Sequence, residues 1–434
     1  MARNLPQSVR HSPDLSLVLL TSQFQRAVRP LLVEASGYAL AGLRRRATPQ
    51  SCELLADAWR HTAERPRGQD HGALADWLVL AISDGSGMTP ERLLELVEPG
   101  RSQTVVAIVL DRRERRQLPA QVWDQGILRR LTEVTLVGAA PIHLKEGTDN
   151  ENELARSTPV DDPATLRASR TRGALGALYD ELAAQRVLLV GAGRGGALLA
   201  QSLVAAGVRS LTIVDGDRLG AENVDAMPFT APHEQGESKA RLLAAAILRN
   251  QPEMALSAVS QPVHSPEGAR LLRERRFDLL ITFVDSPIPR LCAALAGQET
   301  LSVHLDVGTH IAIDDQGQRQ MTADVRLFEP RRGCCLCVPP LEQLEEALYE
   351  LSAPDQALKR GESLPWNALR AGSLYHLNAL ACSLAVETWL GYLAGDIRTS
   401  VWRRVRWQGG EIPRIESALI DGDPGCKYCQ GSVQ

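Results

Sequence analysis

The chain has 434 residues, of which 44% are hydrophobic and 23% charged. That composition sets aside disordered, collagenous and coiled-coil classes and gives room for two or three globular domains. Lys plus Arg number 48 against 52 Asp plus Glu, a net charge of -4, so the balance favours neither a nucleic acid nor an anionic membrane as partner.

The first residues, MARNLPQSVRHSPDLSLVLL, place a short apolar stretch after a polar one with no small-residue cleavage site, and read as no signal peptide. Residues 1 to 143 carry helical patterns at Thr48 to His61 and Pro90 to Val97 and strand-like runs at Val105 to Leu110 and Glu133 to Val137, which predict a smaller N-terminal mixed α/β domain. Arg44-Arg45-Arg46 reads as a solvated helix end. Residues 144 to 169 are polar, acidic and proline-punctuated, and predict a linker. From Arg170 onward strands alternate with helices: RVLLV, then GALLAQSLVAAG, SLTIV, ESKARLLAAAILRN and FDLLITFV. This predicts a doubly wound, Rossmann-like, mostly parallel sheet over residues 170 to 434. Thr309 to Phe328 reads as two appended antiparallel strands around an Asp-Asp-Gln-Gly turn. A long apolar helix from Ala371 to Ala394 and a strand from Thr399 to Trp407 follow. The longest apolar run, Leu374 to Gly395, is broken by His376, Asn378 and Glu387, so a buried or interfacial helix is expected and no membrane span. Eight cysteines without a signal peptide point to a reducing compartment, and a cytoplasmic protein is expected.

Gly191-Ala-Gly193-Arg194-Gly195-Gly196 follows an apolar strand and opens a helix. Its amides and helix N-terminus can hold a phosphate group. Such a loop fits NAD, FAD or ATP, and equally a tight turn with no ligand. Asp215, ending the next strand, sits where a carboxylate accepts from a ribose hydroxyl. The set that follows, Asp217, Asn223, Lys239 at a helix start and Asp285 at the end of a later strand, converges on one crevice in such a sheet. A lysine and a second aspartate aimed at phosphates suit a triphosphate with magnesium better than a dinucleotide.

Cys334-Cys-Leu-Cys337 and Cys426-Lys-Tyr-Cys429 are two C-x-x-C knuckles, each preceded by glycine. Each can fill two corners of a zinc tetrahedron, and together they complete a closed structural site. A redox pair or incidental buried thiols are the other readings. Cys335 is spare, and Cys52, Cys292 and Cys382 lie in helical patterns that favour burial.

Through RVLLVGAGRGG, AAGVRSLTIVDGDRLGAENV, GESKA, LLITFVDS and the two knuckles, the chain from about Arg170 to its end resembles the ThiF/MoeB/HesA family of ubiquitin-activating-enzyme-like adenylyltransferases. The resemblance implies that Asp215 binds the ATP ribose, Asn223 and Lys239 the phosphates, Asp285 magnesium, and the four cysteines zinc. It implies adenylation of the C-terminal carboxylate of a ubiquitin-like or sulfur-carrier protein. It also implies a homodimer whose partner lends an arginine from before the first strand, where Arg167, Arg170 and Arg172 stand. Two features depart from the family. Its phosphate-binding arginine, three residues beyond the asparagine, is here Ala226, with Arg194 and Arg290 as candidate replacements, and Val338 to Ser373 contains no cysteine for a thioester.

Leu17 to Leu43 and Met88 to Leu110 are faintly similar to JAB/MPN isopeptidase-type domains, but the metal motif of that family is missing, which implies an inactive recognition or dimerisation domain. Three other functions are weighed against adenylation: a non-catalytic binding module on the same fold, a peptide-modifying member of the family from a natural-product pathway, and an NAD- or FAD-dependent oxidoreductase.

Overall fold

The computed structural model describes residues 14–20, 37–47, 51–67, 76–83, 88–111, 119–138 and 142–145, and five positions between 23 and 31. Beyond these it describes 163–338 apart from 225, 226, 228, 275, 276 and 314–316, then 374–408, and 412–429 apart from 427. The chain divides into two compact units, Met1–Leu136 with Ile142–Asn150, and Val137–Pro141 with Glu151–Gln434.

The first unit contains β1 (Asp14–Leu20), β2 (Tyr38–Ala47), β3 (Ser51–Thr62), β4 (Trp77–Ser83), helix α1 (Pro90–Val97), β5 (Thr104–Asp111), β6 (Ala120–Asp124), β7 (Ile127–Arg130), β8 (Glu133–Val137) and β9 (Ile142–Lys145). The strands form one sheet in the order β7-β6-β5-β4-β2-β3-β1-β8-β9, parallel at β1–β3 and β4–β5. Alternate residues of one strand enter opposite cores. Val106 and Ile108 join Leu17, Leu54 and Leu78, whereas Val105 and Ala107 join Val79, Leu93 and Val97. Helix α1 begins as its sequence predicts, with Pro90 in the first turn and the Thr89 side chain accepting from the Arg92 amide.

Two expectations for this unit are corrected. Thr48 to His61 does not form a helix: its described part is strand β3, and Cys52, Leu54 and Ala56 enter one core at a period of two. Glu53, facing the other way, is buried against Arg46 at 2.8 Å. The arginine triplet is therefore in a strand, β2. Its middle member reaches Asp124 at 2.5 Å and Thr104 at 2.5 Å.

The second unit opens with α2 (Pro163–Leu175) and α3 (Leu178–Ala183). Residues 163–169, read as the end of a linker, are thus helical, and 146–162 lie outside the described residues. There follow β10 (Arg186–Val190), α4 (Arg194–Ala206), β11 (Ser210–Val214), the single turn α5 (Ala221–Val224), α6 (Lys239–Asn250), β12 (Ala255–Val259), α7 (Pro266–Glu274), β13 (Leu279–Thr282) and α8 (Pro287–Thr300). The last elements are β14 (Val303–Ile313), β15 (Arg319–Phe328), α9 (Tyr375–Leu393), β16 (Val401–Gln408) and β17 (Arg414–Leu419).

Their sheet runs β12-β11-β10-β13-β14-β15-β16-β17. The first five strands are parallel, and β14 to β17 are antiparallel neighbours. This is the doubly wound sheet with appended antiparallel strands. The apolar runs of β10, β11 and β13 are buried because helices cover a parallel sheet on both faces. The chain proceeds outward from β10 to β12 and then returns to β13 on the other side of β10. Strand order therefore reverses at β10/β13, and a crevice opens beyond the carboxyl ends of those two strands. Helix α9 packs on α4, β14 and β15. No helix among the described residues is long and apolar enough to cross a membrane.

Candidate nucleotide crevice and cysteine cluster

The turn from β10 into α4 carries the four glycines, and they are not equivalent. Gly191 has φ +105°, and a Cβ there would stand 2.5 Å from the Phe283 carbonyl oxygen. At Gly195 it would meet the Phe283 ring at 2.4 Å, and at Gly196 the Gly191 oxygen at 1.9 Å. Gly191 and Gly195 let the loop close on the turn after β13, and Gly196 lets the loop close on itself. Gly193 is different: it caps α4 with φ -69°, and a Cβ there would meet nothing within 4 Å. The amino end of α4 is open at that point, and a helix N-terminus is where backbone amides and the helix dipole can receive an anion.

Asp215 ties this loop to the end of β11. One carboxylate oxygen accepts from the Ala192 amide at 2.5 Å and the other from the Asp217 amide at 2.7 Å. Burial pushes its carboxyl above the ordinary range, and the two amides only partly offset that. Lys239, the first residue of α6, is buried, and its Nζ donates to Asp217 Oδ2 at 2.9 Å. Its backbone amide donates to the Asp217 carbonyl at 3.1 Å. The structure thus joins Asp215, Asp217, Lys239 and the glycine loop in one hydrogen-bonded unit. The pairing of Lys239 with Asp217 was not legible in the sequence.

The other candidates lie in segments that follow the parallel strands. Arg194 is the first residue of α4, and Asn223 lies half-buried on α5 after β11. Asp285 is exposed in the turn between β13 and α8. Ala226 lies outside the described residues. Arg290, considered as a replacement for the family arginine, is already engaged: it donates to Asp306 Oδ1 and to the Val284 carbonyl at 2.5 Å.

Of the three arginines that precede the first strand of this sheet, Arg167 lies 2.5 Å from Glu253 and Arg172 lies 3.0 Å from Asp180, while Arg170 is exposed on α2.

Behind the crevice is a buried polar cluster that the sequence reading missed. Asp306 on β14 accepts from Thr282 Oγ1 at 2.7 Å, and its second oxygen lies 2.5 Å from Arg326. Burial pushes its carboxyl up, but the Arg290 and Arg326 guanidiniums outweigh that and hold it below the usual range. His304 is fully buried beside them, and burial brings its imidazole down to about 4. The Thr282 hydroxyl gives its single proton to Asp306, so the 2.9 Å contact with His304 Nε2 is one that the neutral imidazole donates. The available signal was one carboxylate inside the apolar run VHLDVG, which burial obliges to be paired.

In a separate part of the unit, Cys334, Cys337, Cys426 and Cys429 bring their sulfurs within 4.8 Å of one another. The separations are 3.9 Å for Cys334–Cys337, 3.8 Å for Cys334–Cys426 and 3.4 Å for Cys337–Cys429. Four thiolates at ~2.3 Å from a central zinc are ~3.8 Å apart along each tetrahedral edge, so the cluster can hold that ion. All four thiols are free, with no disulfide among them. A 3-10 turn at Cys335–Cys337 shapes the first knuckle, and the Cys337 amide donates to the Cys334 carbonyl at 2.9 Å. The spare Cys335 points away and packs with Ile288, Phe328, Val338 and Ile420. Cys52 and Cys382 are buried, Cys292 is partly buried, and burial raises each thiol above its ordinary range. Cys292 and Cys382 lie on helices as expected, whereas Cys52 lies on β3.

Residues 167–359 match the ThiF family. "Ubiquitin-like modifier-activating enzyme 5" of Caenorhabditis briggsae is 22% identical over 264 residues, 58% of this chain and 56% of that protein. "Adenylyltransferase and sulfurtransferase MOCS3" of Mus musculus is 36% identical over 125 residues, 28% of this chain and 27% of that protein. The chain therefore spans little more than half of the first relative and about a quarter of the second. A solved structure of Escherichia coli MccB with MccA-N7isoASN aligns over 63% of this chain and 76% of that one, at 15% identity and a TM-score of 0.45. The glycine turn, Asp215, Asp217, Lys239 and Asp285 all fall within the residues, 167–359, that match the ThiF family.

Proposed function

We propose that the second unit binds Mg·ATP in the crevice and transfers its adenylyl group to the C-terminal carboxylate of a ubiquitin-like or sulfur-carrier protein. The observation that carries this reading is the hydrogen-bonded unit of glycine loop, Asp215, Asp217 and Lys239 at the reversal of strand order.

In this reading the α4 amides and Lys239 hold the phosphates, with Asn223 and Arg194 beside them, and Asp215 faces the ribose. The hard carboxylate oxygens of Asp285 would hold magnesium, which would there supply neutralisation of phosphate charge. An oxygen of the incoming carboxylate attacks the α-phosphorus, the bond to the bridging oxygen breaks, and pyrophosphate leaves with its electron pair. An ionised carboxylate needs no general base, so the residues position and neutralise. The raised thiols of Cys52, Cys292 and Cys382 favour an acyl-adenylate handed to an external acceptor over a thioester on one of these cysteines. Zinc in the four cysteines is structural, and a homodimer in the cytoplasm brings Arg170 of one protomer toward the crevice of the other.

Calorimetry with Mg·ATP, with NAD in parallel, tests the reading. Micromolar ATP binding that weakens roughly thirtyfold in Lys239→Ala is expected, followed by carrier-dependent pyrophosphate exchange that disappears in Lys239→Ala and Asp285→Ala. Wild-type protein that binds NAD, or binds no ATP, overturns it.

A further inference from the structure

A carboxylate that holds a cation at the tip of a turn is only as well placed as the peptide that carries it. Asp285 stands in such a turn, exposed, between β13 and α8. The residue before it, Val284, presents its carbonyl oxygen to Arg290, whose Nη2 donates to it at 2.5 Å. The peptide unit is planar, so gripping the Val284 oxygen also fixes the nitrogen and Cα of Asp285.

The grip has a direction because the other edge of the guanidinium is occupied. Arg290 Nη1 donates to Asp306 Oδ1, and Asp306 is 1% exposed. Asp306 is itself fixed from two sides, by the Thr282 hydroxyl at 2.7 Å and by Arg326, which faces it across the β14–β15 ladder at 2.5 Å. Thr282 is the last residue of β13, three before Asp285. One polar chain thus runs from β15 through β14 to α8 and ends on the peptide that carries Asp285.

We propose that Arg290 is a positioning residue for the cation site: held by Asp306, it sets the turn that presents the Asp285 carboxylate to the magnesium ion of Mg·ATP. This rests on the reading of Asp285 as the magnesium ligand given above. Arg290 touches neither ion nor nucleotide in this role. It lowers the free energy of the one turn geometry in which Asp285 reaches the ion, so its loss affects metal-dependent binding and spares the binding of the nucleotide itself.

Arg290→Met removes both contacts and leaves Asp306 paired with Arg326 and Thr282, so the buried carboxylate keeps partners. The full-length protein and its variants are titrated with ATP in saturating magnesium and again in EDTA. Arg290→Met is expected to weaken binding about tenfold in magnesium and less than twofold in EDTA, with Arg290→Lys, which keeps the charge and loses the two-edged fork, recovering only part of the loss. Combined with Asp285→Ala it adds nothing in magnesium, as two changes acting through one ion should. Asp306→Asn, which keeps the shape and drops the charge that aims the guanidinium, shows the same selective loss. Equal weakening in magnesium and EDTA, or additive loss in the double variant, makes Arg290 a merely structural residue and overturns the proposal. If Asp285→Ala binds like the wild type in both buffers, the reading of Asp285 fails first. If it is selectively impaired while Arg290→Met and Asp306→Asn are not, the proposal alone fails.

Discussion

The crevice and the cysteine cluster are two answers to one problem, the keeping of polar groups ready for a ligand inside a folded chain. In the crevice the ligand groups hold one another: Asp215 takes two amides, Asp217 takes Lys239, and the glycine loop closes on Phe283. The four cysteine sulfurs face one another at 3.4 to 3.9 Å, with backbone amides beside Cys337 and Cys426, and thiols are weak donors and weak acceptors toward either. A site satisfied from within keeps its shape without its ligand. A site made of weakly bonded thiols depends on the ion for its share of stability.

The largest expected effect follows from that difference. Cys429→Ser should abolish zinc binding and lower the stability of the second unit by about 4 kcal/mol, a fall in melting temperature on the order of 10 °C. A strong chelator should reproduce the shift in the wild type and add none in the variant. Metal analysis beside calorimetric melting checks both, and an unchanged melting temperature after the metal is removed would break the contrast. Removing ATP should shift the melting point only by mass action.

Legibility in the sequence divides along a similar line. The parallel strands of the second unit, the glycine turn and both knuckles could be read because each is a local pattern: an apolar run of strand length, a glycine spacing, a C-x-x-C. Strand β3 was misread because its leucines and alanines favour helix locally, while its neighbours β1 and β2 supply ladder partners that only the fold reveals. The Lys239–Asp217 pair and the Arg290–Asp306–Arg326 cluster were invisible for the same reason. Asp306 meets Arg326 through strand register, and Arg290 meets Asp306 from the helix that connects β13 to β14.

The second effect sets a group behind the crevice against one that leads toward the first knuckle. Burial lowers His304 from 6.5 to about 4, so the unfolded chain binds more protons in that window and stability falls as pH drops from 6.5 toward 4. Burial raises Glu329 from 4.5 to about 7, with Arg332 only partly offsetting it, so the folded chain binds more protons and stability falls as pH rises from 4.5 toward 7. Each contribution is about 3 kcal/mol over its full window, and the two oppose each other between pH 4.5 and 6.5. The wild type should therefore melt at nearly constant temperature from pH 5 to 6.5, whereas Glu329→Gln should melt higher as pH rises across that range. A variant profile as flat as the wild type's would remove one of the two groups from the balance.

A third and smaller effect belongs to the crevice. Lys239→Ala takes away one charge-assisted contact to phosphate, about 2 kcal/mol or roughly thirtyfold in ATP affinity. Stability should change little, because Asp217, the partner left behind, is 60% exposed and is rehydrated. Melting and ATP titration of one preparation separate the two quantities, and a loss of several kcal/mol in folding would show Lys239 to be part of the core instead.

The smallest effect is the sharpest test of what the glycine turn is for. At Gly196 an added methyl would lie 1.9 Å from the Gly191 oxygen, so Gly196→Ala must displace backbone and should cost about 3 kcal/mol in stability. Gly193 has φ -69° and open space around it, so the same change there is compatible with the native backbone. Its loss as a cap and its gain in chain stiffness are each below about 1 kcal/mol and of opposite sign. If Gly193 is glycine only to keep the α4 amides accessible, Gly193→Ala should melt with the wild type and yet bind ATP several-fold more weakly. Equal ATP affinity in Gly193→Ala would mean that the phosphates do not approach the turn at that point, and the anion site would then lie with Lys239 and Asn223 rather than at the amino end of α4.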